Sequence, residues 1–243
     1  MSKPYHLVGH RGFPQAYPEN TLTGILAAIV EGADAIEFDI QASKDGLPVV
    51  IHDDNLARTT GLNAPLADYT LSLLEKISAH EPDRFGAAHL PDPIASLETL
   101  CQALLRWPAV EVFAEIKAEV FSRFTRAEFM ARVAPLLRPL GPRCHVISFD
   151  AEILSIAKDQ GFSIGWVLPT YDAAAHLIAQ RLQPEFLICD KHALPAAALW
   201  AGDWQWFVYD VVAAGEAQAL LARGVTYIET WDIAGLKCGL EDS

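Results

Sequence analysis

Positive charge is scarce in this sequence. Eighteen lysines and arginines face 31 aspartates and glutamates, for a formal net charge of −13 and an isoelectric point near 4.9. A surface of that sign repels nucleic-acid backbones and anionic lipid at long range, which points away from a nucleic-acid partner and from stable membrane association. It does not bar a small anionic substrate from a site that carries its own cations. Cysteine is equally sparse: Cys101, Cys144, Cys189 and Cys238 form no CxxC pair, so neither a zinc site nor a disulfide framework has spacing support. Reduced, mostly buried thiols are expected. No apolar stretch approaches the roughly 20 residues of a transmembrane helix, and Met1–His6 leads into the first apolar residues without a signal-peptide core. A cytoplasmic location is the expectation. Linkers, internal repeats and low-complexity tracts are also missing, so residues 1–243 are read as one domain.

What is present is core material. Hydrophobic residues make up 51% of the chain and charged residues 20%, a balance that disordered chains do not show. Short apolar runs recur, each followed by a segment of helical period: Leu7–Gly9, Ala35–Ile40, Val110–Ile116, Val146–Phe149, Ser163–Leu168, Phe186–Cys189, Trp206–Val211 and Tyr227–Thr230. Pro48–Ile51 is a companion to the second. Helices are predicted over Thr21–Val30, Ser96–Arg106, Arg126–Leu137, Ala151–Gln160, Tyr171–Arg181, Leu194–Trp200 and Ala213–Arg223, with Gly32, Gly161 and Gly224 placed as left-handed C′ residues. Little chain remains after Gly235 for a last helix. Eight alternating units predict a parallel sheet closed as a (β/α)₈ TIM barrel. Asp53–Pro93 breaks the rhythm and is read as a small insertion on the rim, with a short helix at Leu71–Ile77.

Catalytic groups in such a barrel come from the C-terminal strand ends. His10 and Arg11 end the first strand. Glu37 and Asp39 are spaced by two, as are Glu115 and Lys117, so each pair points to one face while Phe38 and Ile116 point to the other. His52 and Asp53 follow the companion strand. Charges inside apolar strands are costly unless paired. Three converging carboxylates, Glu37, Asp39 and Glu115, suit a hard divalent cation such as Mg²⁺ or Ca²⁺. A purely structural ion network with Arg11 and Lys117 is the competing account. His10 and His52 are the candidates for proton transfer, because imidazole titrates near neutrality. Arg11 and Lys117 would supply fixed positive charge for phosphodiester oxygens, a role compatible with balancing the carboxylates.

In this order the residues resemble the glycerophosphodiester phosphodiesterase family, of the bacterial, cytoplasmic type. The resemblance rests on His10-Arg11-Gly12, Pro18-Glu19-Asn20-Thr21, Glu37-Phe38-Asp39, His52-Asp53 through Leu56 to Arg58-Thr59-Thr60, Glu115-Ile116-Lys117 and Ser148-Phe149-Asp150. It implies a metal-dependent enzyme that hydrolyses glycerophosphodiesters to glycerol 3-phosphate and an alcohol. By likeness, Glu37, Asp39 and Glu115 hold the metal, His10 and His52 act as acid and base, and Arg11 and Lys117 bind phosphate. The segment after His52 would frame the glycerol side of the pocket, and Asn20 would order the loop after the first strand or else cap the helix behind it.

Two departures stand out. The family's Trp-Thr-Val-Asn-like run in strand seven reads Phe207-Val208-Tyr209-Asp210 here, and its Thr-Asp-Tyr-Pro in strand eight reads Thr230-Trp231-Asp232-Ile233. Trp206, Tyr209 and Trp231 are candidates either for the pocket wall or for core packing. Three alternatives remain beside direct hydrolysis: a cyclising phosphodiesterase, a phospholipase D-like enzyme on a related lipid, and a non-catalytic barrel. The preferred alcohol and the oligomeric state have no signature in the sequence.

Overall fold

Side-chain alternation along the strands decides which layer each residue enters. The computed structural model describes residues 4–241. Among these residues nine strands form one sheet: β1 (His6–Gly9), β2 (Ala35–Ala42), β3 (Pro48–Val50), β4 (Glu111–Ile116), β5 (Cys144–Ser148), β6 (Ser163–Val167), β7 (Phe186–Asp190), β8 (Gln205–Tyr209) and β9 (Val225–Thr230). Their order is β1-β9-β8-β7-β6-β5-β4-β2-β3, and a further pairing of β1 with β2 closes the ring. Eight strands run parallel, while β3 pairs antiparallel with β2 as its companion. The fold is the predicted (β/α)₈ TIM barrel.

The helices are α1 (Leu22–Glu31), α2 (Ala57–Thr60), α3 (Leu71–Leu74), α4 (Pro82–Phe85), α5 (Leu97–Leu104), α6 (Arg126–Leu137), α7 (Ala151–Asp159), α8 (Ala173–Leu182), α9 (Ala214–Ala222) and α10 (Ile233–Glu241). Gly32, Gly161 and Gly224 all take positive φ behind a helix, as their positions predicted. The short tail after Thr230 suffices for α10, which packs on β1, α1 and α9. One predicted helix does not form: residues 191–204 between β7 and β8 make turns instead. Leu194 precedes Pro195, which biases it away from the helical region. Trp200 is held by side-chain contacts, its N–H donating to Tyr171 Oη at 3.0 Å and its ring stacked on Tyr171 and His176.

Two apolar layers result. Leu7, Ile36, Phe38, Ile40, Val112, Ile116, Trp166 and Trp206 face outward and pack under the helices. The barrel interior is filled by Val8, Ala35, Phe113, Ile147, Val167, Phe186, Ile188, Phe207 and Tyr227. Phe113 stands edge-on to Phe186, Phe207 and Tyr227 with centroids 4.9–5.5 Å away, an arrangement that adds favourable quadrupole contacts to burial. This plug fills the lower barrel. It leaves the upper interior to charged residues.

Residues 53–93 carry α2, α3 and α4, and the predicted Leu71–Ile77 helix is regular only over Leu71–Leu74. Leu56, Leu66, Leu74 and Ala79 from this segment build a separate small core with Val49, Ile51 and Ile94. The segment is tied to the loop after β1, where the Glu19 N–H donates to Glu81 Oε1 at 2.7 Å and Arg58 pairs with Glu19.

Candidate active site

The barrel mouth gathers six of the seven predicted residues on one pocket wall. His10, Arg11, Glu37, His52, Glu115 and Lys117 line a cavity of about 190 Å³, together with Phe149, Tyr209, Asp210 and Glu229. Asp39, the seventh, lies just beneath, 1% exposed. Oxygen atoms of Glu37, Asp39 and Glu115 fall within 4.8 Å of one another.

The loop that starts the site is shaped by backbone rather than by side chains. His10 continues β1, its N–H donating to the Thr230 carbonyl at 2.9 Å. Arg11 and Gly12 then take positive φ, 54° and 95°. The turn aims the Arg11 N–H at Glu37 Oε2, 2.9 Å away. A Cβ on Gly12 would sit 2.7 Å from backbone atoms of Gly24 and Ile25, so the glycine admits the first turn of α1 against the loop. Asn20, also left-handed (φ 55°), grips Asp39 twice: Nδ2 donates to Oδ2 at 2.8 Å and Oδ1 accepts the Asp39 N–H at 3.0 Å. Its own N–H donates to the Arg11 carbonyl. The helix cap is Thr21, whose hydroxyl accepts from Gly24 N–H, so Asn20 orders the loop and does not cap α1.

Charge is tightly coupled here. Arg11 reaches Glu19 at 2.9 Å and Asp39 at 3.3 Å, and Lys117 reaches Glu115 at 2.9 Å and Asp39 at 3.4 Å. Burial would raise the Asp39 carboxyl, but Arg11 and Lys117 hold it below the usual range. Burial lifts Glu37 well above that range, and Asp39 and Glu229 add to the effect. Glu115 is raised by burial and by Asp39, against the pull of Lys117. For two of the three carboxyls the nearby positive charge does not offset burial and the neighbouring carboxylates, which is the environment a bound cation would complete. The donors are all hard oxygens, a fit to a divalent ion.

The two histidines are set differently. Burial, helped by Arg11, lowers His10 to about 3, so its ring is neutral. Its Nδ1 lies 3.6 Å from Asp210 Oδ1. His52 Nδ1 sits 2.7 Å from Asp53 Oδ1, and Arg58 donates to the same carboxylate from Nε and Nη2. The bond to His52 and the pair with Arg58 outweigh burial and hold Asp53 well below the usual carboxylate range.

Several residues gained meaning only from the structure. Glu229 is 3% exposed and its Oε1 has no hydrogen-bond partner. It lies two residues after Tyr227 in an apolar strand, the same signal that marks Glu37 and Glu115. Glu19, quoted only as part of a motif, bridges Arg11 and Arg58. Ser148 and Asp150 are structural: Ser148 Oγ donates to the Ile116 carbonyl, and Asp150 caps α7 and pairs with Arg126. Of the three aromatic candidates, Tyr209 lines the pocket, Trp206 is buried under the helices and Trp231 is half exposed.

Comparison with known proteins finds relatives of one kind. Residues 10–228 match the family model described as the glycerophosphoryl diester phosphodiesterase family. A glycerophosphodiester phosphodiesterase of Bacillus altitudinis is 34% identical over 117 residues, covering 47% of this chain and 46% of that protein. One from Caldanaerobacter subterraneus is 42% identical over 73 residues, 30% of each. The matches thus span about half the length of such relatives or less. Among solved structures, a phosphodiesterase of Oleispira antarctica in complex with the product sn-glycerol-3-phosphate superposes with a TM-score of 0.85 at 20% identity, covering 97% of this chain and 96% of that one. That likeness speaks for the fold.

Proposed function

Since this chain belongs to the glycerophosphoryl diester phosphodiesterase family, we propose that it cleaves glycerophosphodiesters to glycerol 3-phosphate and an alcohol. The observation that carries the reading is the carboxylate triad of Glu37, Asp39 and Glu115 at the barrel mouth, set between two histidines and two basic side chains. The triad would hold Mg²⁺ or Ca²⁺. When bound, such an ion polarises the phosphoryl group and offsets charge that develops on it.

The remaining chemistry belongs to the chain. Arg11 and Lys117 line the pocket and offer donors to the two non-bridging phosphate oxygens, beyond their pairing with carboxylates. Neutral His10 accepts the proton of the attacking hydroxyl, whether water or the substrate's own glycerol hydroxyl. His52, oriented by Asp53, donates a proton to the leaving alkoxide. Segment 53–93, which supplies Asp53 and Arg58 behind His52, is read as the family's small insertion into a single barrel domain. The buried free thiols of Cys101, Cys144 and Cys189 accord with a reducing, cytoplasmic setting, and no helix among the described residues is long and apolar enough to cross a membrane.

A substrate panel headed by glycerophosphocholine, run with and without chelator, tests the reading. Cleavage is expected only with a divalent ion present. His10→Ala and His52→Ala should each lower kcat by about 10²–10⁴-fold with an unchanged circular dichroism spectrum. Near-normal turnover by His10→Ala would remove its assigned role. Accumulation of a cyclic glycerol phosphate during turnover would identify the substrate hydroxyl as the nucleophile.

A further inference from the structure

Glu229 is not explained by the triad. Its carboxyl is buried at the pocket wall, and Oε1 finds no hydrogen-bond partner. Arg11 is already shared between Glu19 and Asp39, and Lys117 between Glu115 and Asp39. Among the described residues neither cation makes an ion pair with Glu229. Leaving a buried carboxyl unmatched is costly, and here the cost falls on a strand whose other inward residue, Tyr227, is part of the barrel core.

What faces Glu229 is His10 and Glu37. One ligand atom from each of these three residues lies within 4.8 Å of the others. Metal–ligand bonds of about 2.1 Å put neighbouring donors about 3–3.4 Å apart, so donors within 4.8 Å of one another close on an ion by side-chain shifts of up to about an ångström each. The donor set differs from the triad: one imidazole nitrogen and two carboxylates suit a borderline transition ion, whereas three carboxylates suit Mg²⁺ or Ca²⁺. Glu37 belongs to both sets and can bridge them.

We propose that His10, Glu37 and Glu229 form a second cation site, selective for a transition ion of the Zn²⁺ or Co²⁺ type, whose filling inhibits the enzyme. Inhibition follows from His10. A nitrogen lone pair engaged by an ion cannot accept the proton of the attacking hydroxyl. The inference rests on the placing of Glu37 in the primary triad, and metal counting separates the two.

Protein saturated with Mg²⁺ is titrated with Co²⁺, read by its visible ligand-field absorption, and bound metals are counted after dialysis. Wild type should retain one Mg²⁺, add one Co²⁺ and lose turnover as the Co²⁺ band grows. Glu229→Gln should bind the added Co²⁺ at least tenfold more weakly and be inhibited correspondingly less. Because this substitution is isosteric and removes an unmatched carboxylate, the variant should fold, and a thermal melt checks that. Crystals of wild type soaked in Zn²⁺ give a reading without any variant, an anomalous peak between His10, Glu37 and Glu229. Equal Co²⁺ affinity in Glu229→Gln, one-for-one displacement of Mg²⁺, or no anomalous peak at those residues would overturn the second site. Failure of wild type to retain any Mg²⁺ would instead strike the primary triad.

Discussion

Asn20 works on Asp39 with both ends of its amide, and its Nδ2 donates a hydrogen bond to the carboxylate that Arg11 and Lys117 approach as ion pairs. Hydrogen bonds to charged groups contribute about 1.5–3 kcal/mol each. Asn20 also occupies a left-handed conformation, which asparagine tolerates better than most residues. Asn20→Ala is therefore expected to destabilise the fold by about 2–4 kcal/mol, measured by denaturant unfolding. Asp39 would also lose its fixed orientation, so the divalent ion should bind more weakly in the same variant, measured by titration calorimetry.

At the scale of elements, the loop after β1 is where helix, strand and site meet. Gly12 lets α1 approach so closely that an added methyl would lie 2.7 Å from the α1 backbone. A left-handed φ of 95° adds strain for any L side chain, about 1–2 kcal/mol, before the clash is counted. Gly12→Ala should cost about 2 kcal/mol or more in thermal or denaturant unfolding, and it should lower activity by displacing the Arg11 N–H from Glu37. On the other side of the mouth, α2 supplies Arg58, which links Glu19 and Asp53. The insertion thus braces His52 through Asp53, although its own core is separate from the barrel's.

Across the whole molecule, the charged mouth sits on an aromatic plug, and the balance between them depends on pH and metal. Glu37 and Glu229 have carboxyl groups raised far above the ordinary 4.5. Their folded forms hold protons that the unfolded chain gives up, so the metal-free protein loses stability as pH climbs above 4.5. His10 acts in the opposite sense. Lowered from 6.5 to about 3, it stabilises the fold above 6.5, and that contribution is lost as pH falls through this interval. A divalent ion binds the ionised carboxylates and relieves the first effect, adding about 2.7 kcal/mol at a hundredfold excess over Kd. The rise in Tm on adding Mg²⁺ or Ca²⁺ should therefore be larger at pH 7.5 than at pH 5, as scanning calorimetry with and without chelator would show. An equal rise at both values would mean that the carboxylates are ionised without the ion.

Local chemistry made the barrel and much of its site legible. Period-two alternation placed Glu37, Asp39, Glu115 and Lys117 on the inner face, because a strand has only two faces and the apolar neighbours claim the outer one. Glycines after helical runs marked three helix ends, since few other residues take positive φ cheaply. The same pattern reading failed at Leu194–Trp200, where Pro195 and the stacking of Trp200 on Tyr171 and His176 override an apolar run. Only the closed tertiary structure could bring Glu229 from the last strand against Glu37 from the second, Asp210 beside His10, or Glu19 between Arg11 and Arg58. The first two pairs are far apart in the chain, and their meeting is fixed by the parallel register and closure of the barrel; Glu19 meets Arg58 where the loop after β1 packs on segment 53–93, and no local pattern encodes either contact.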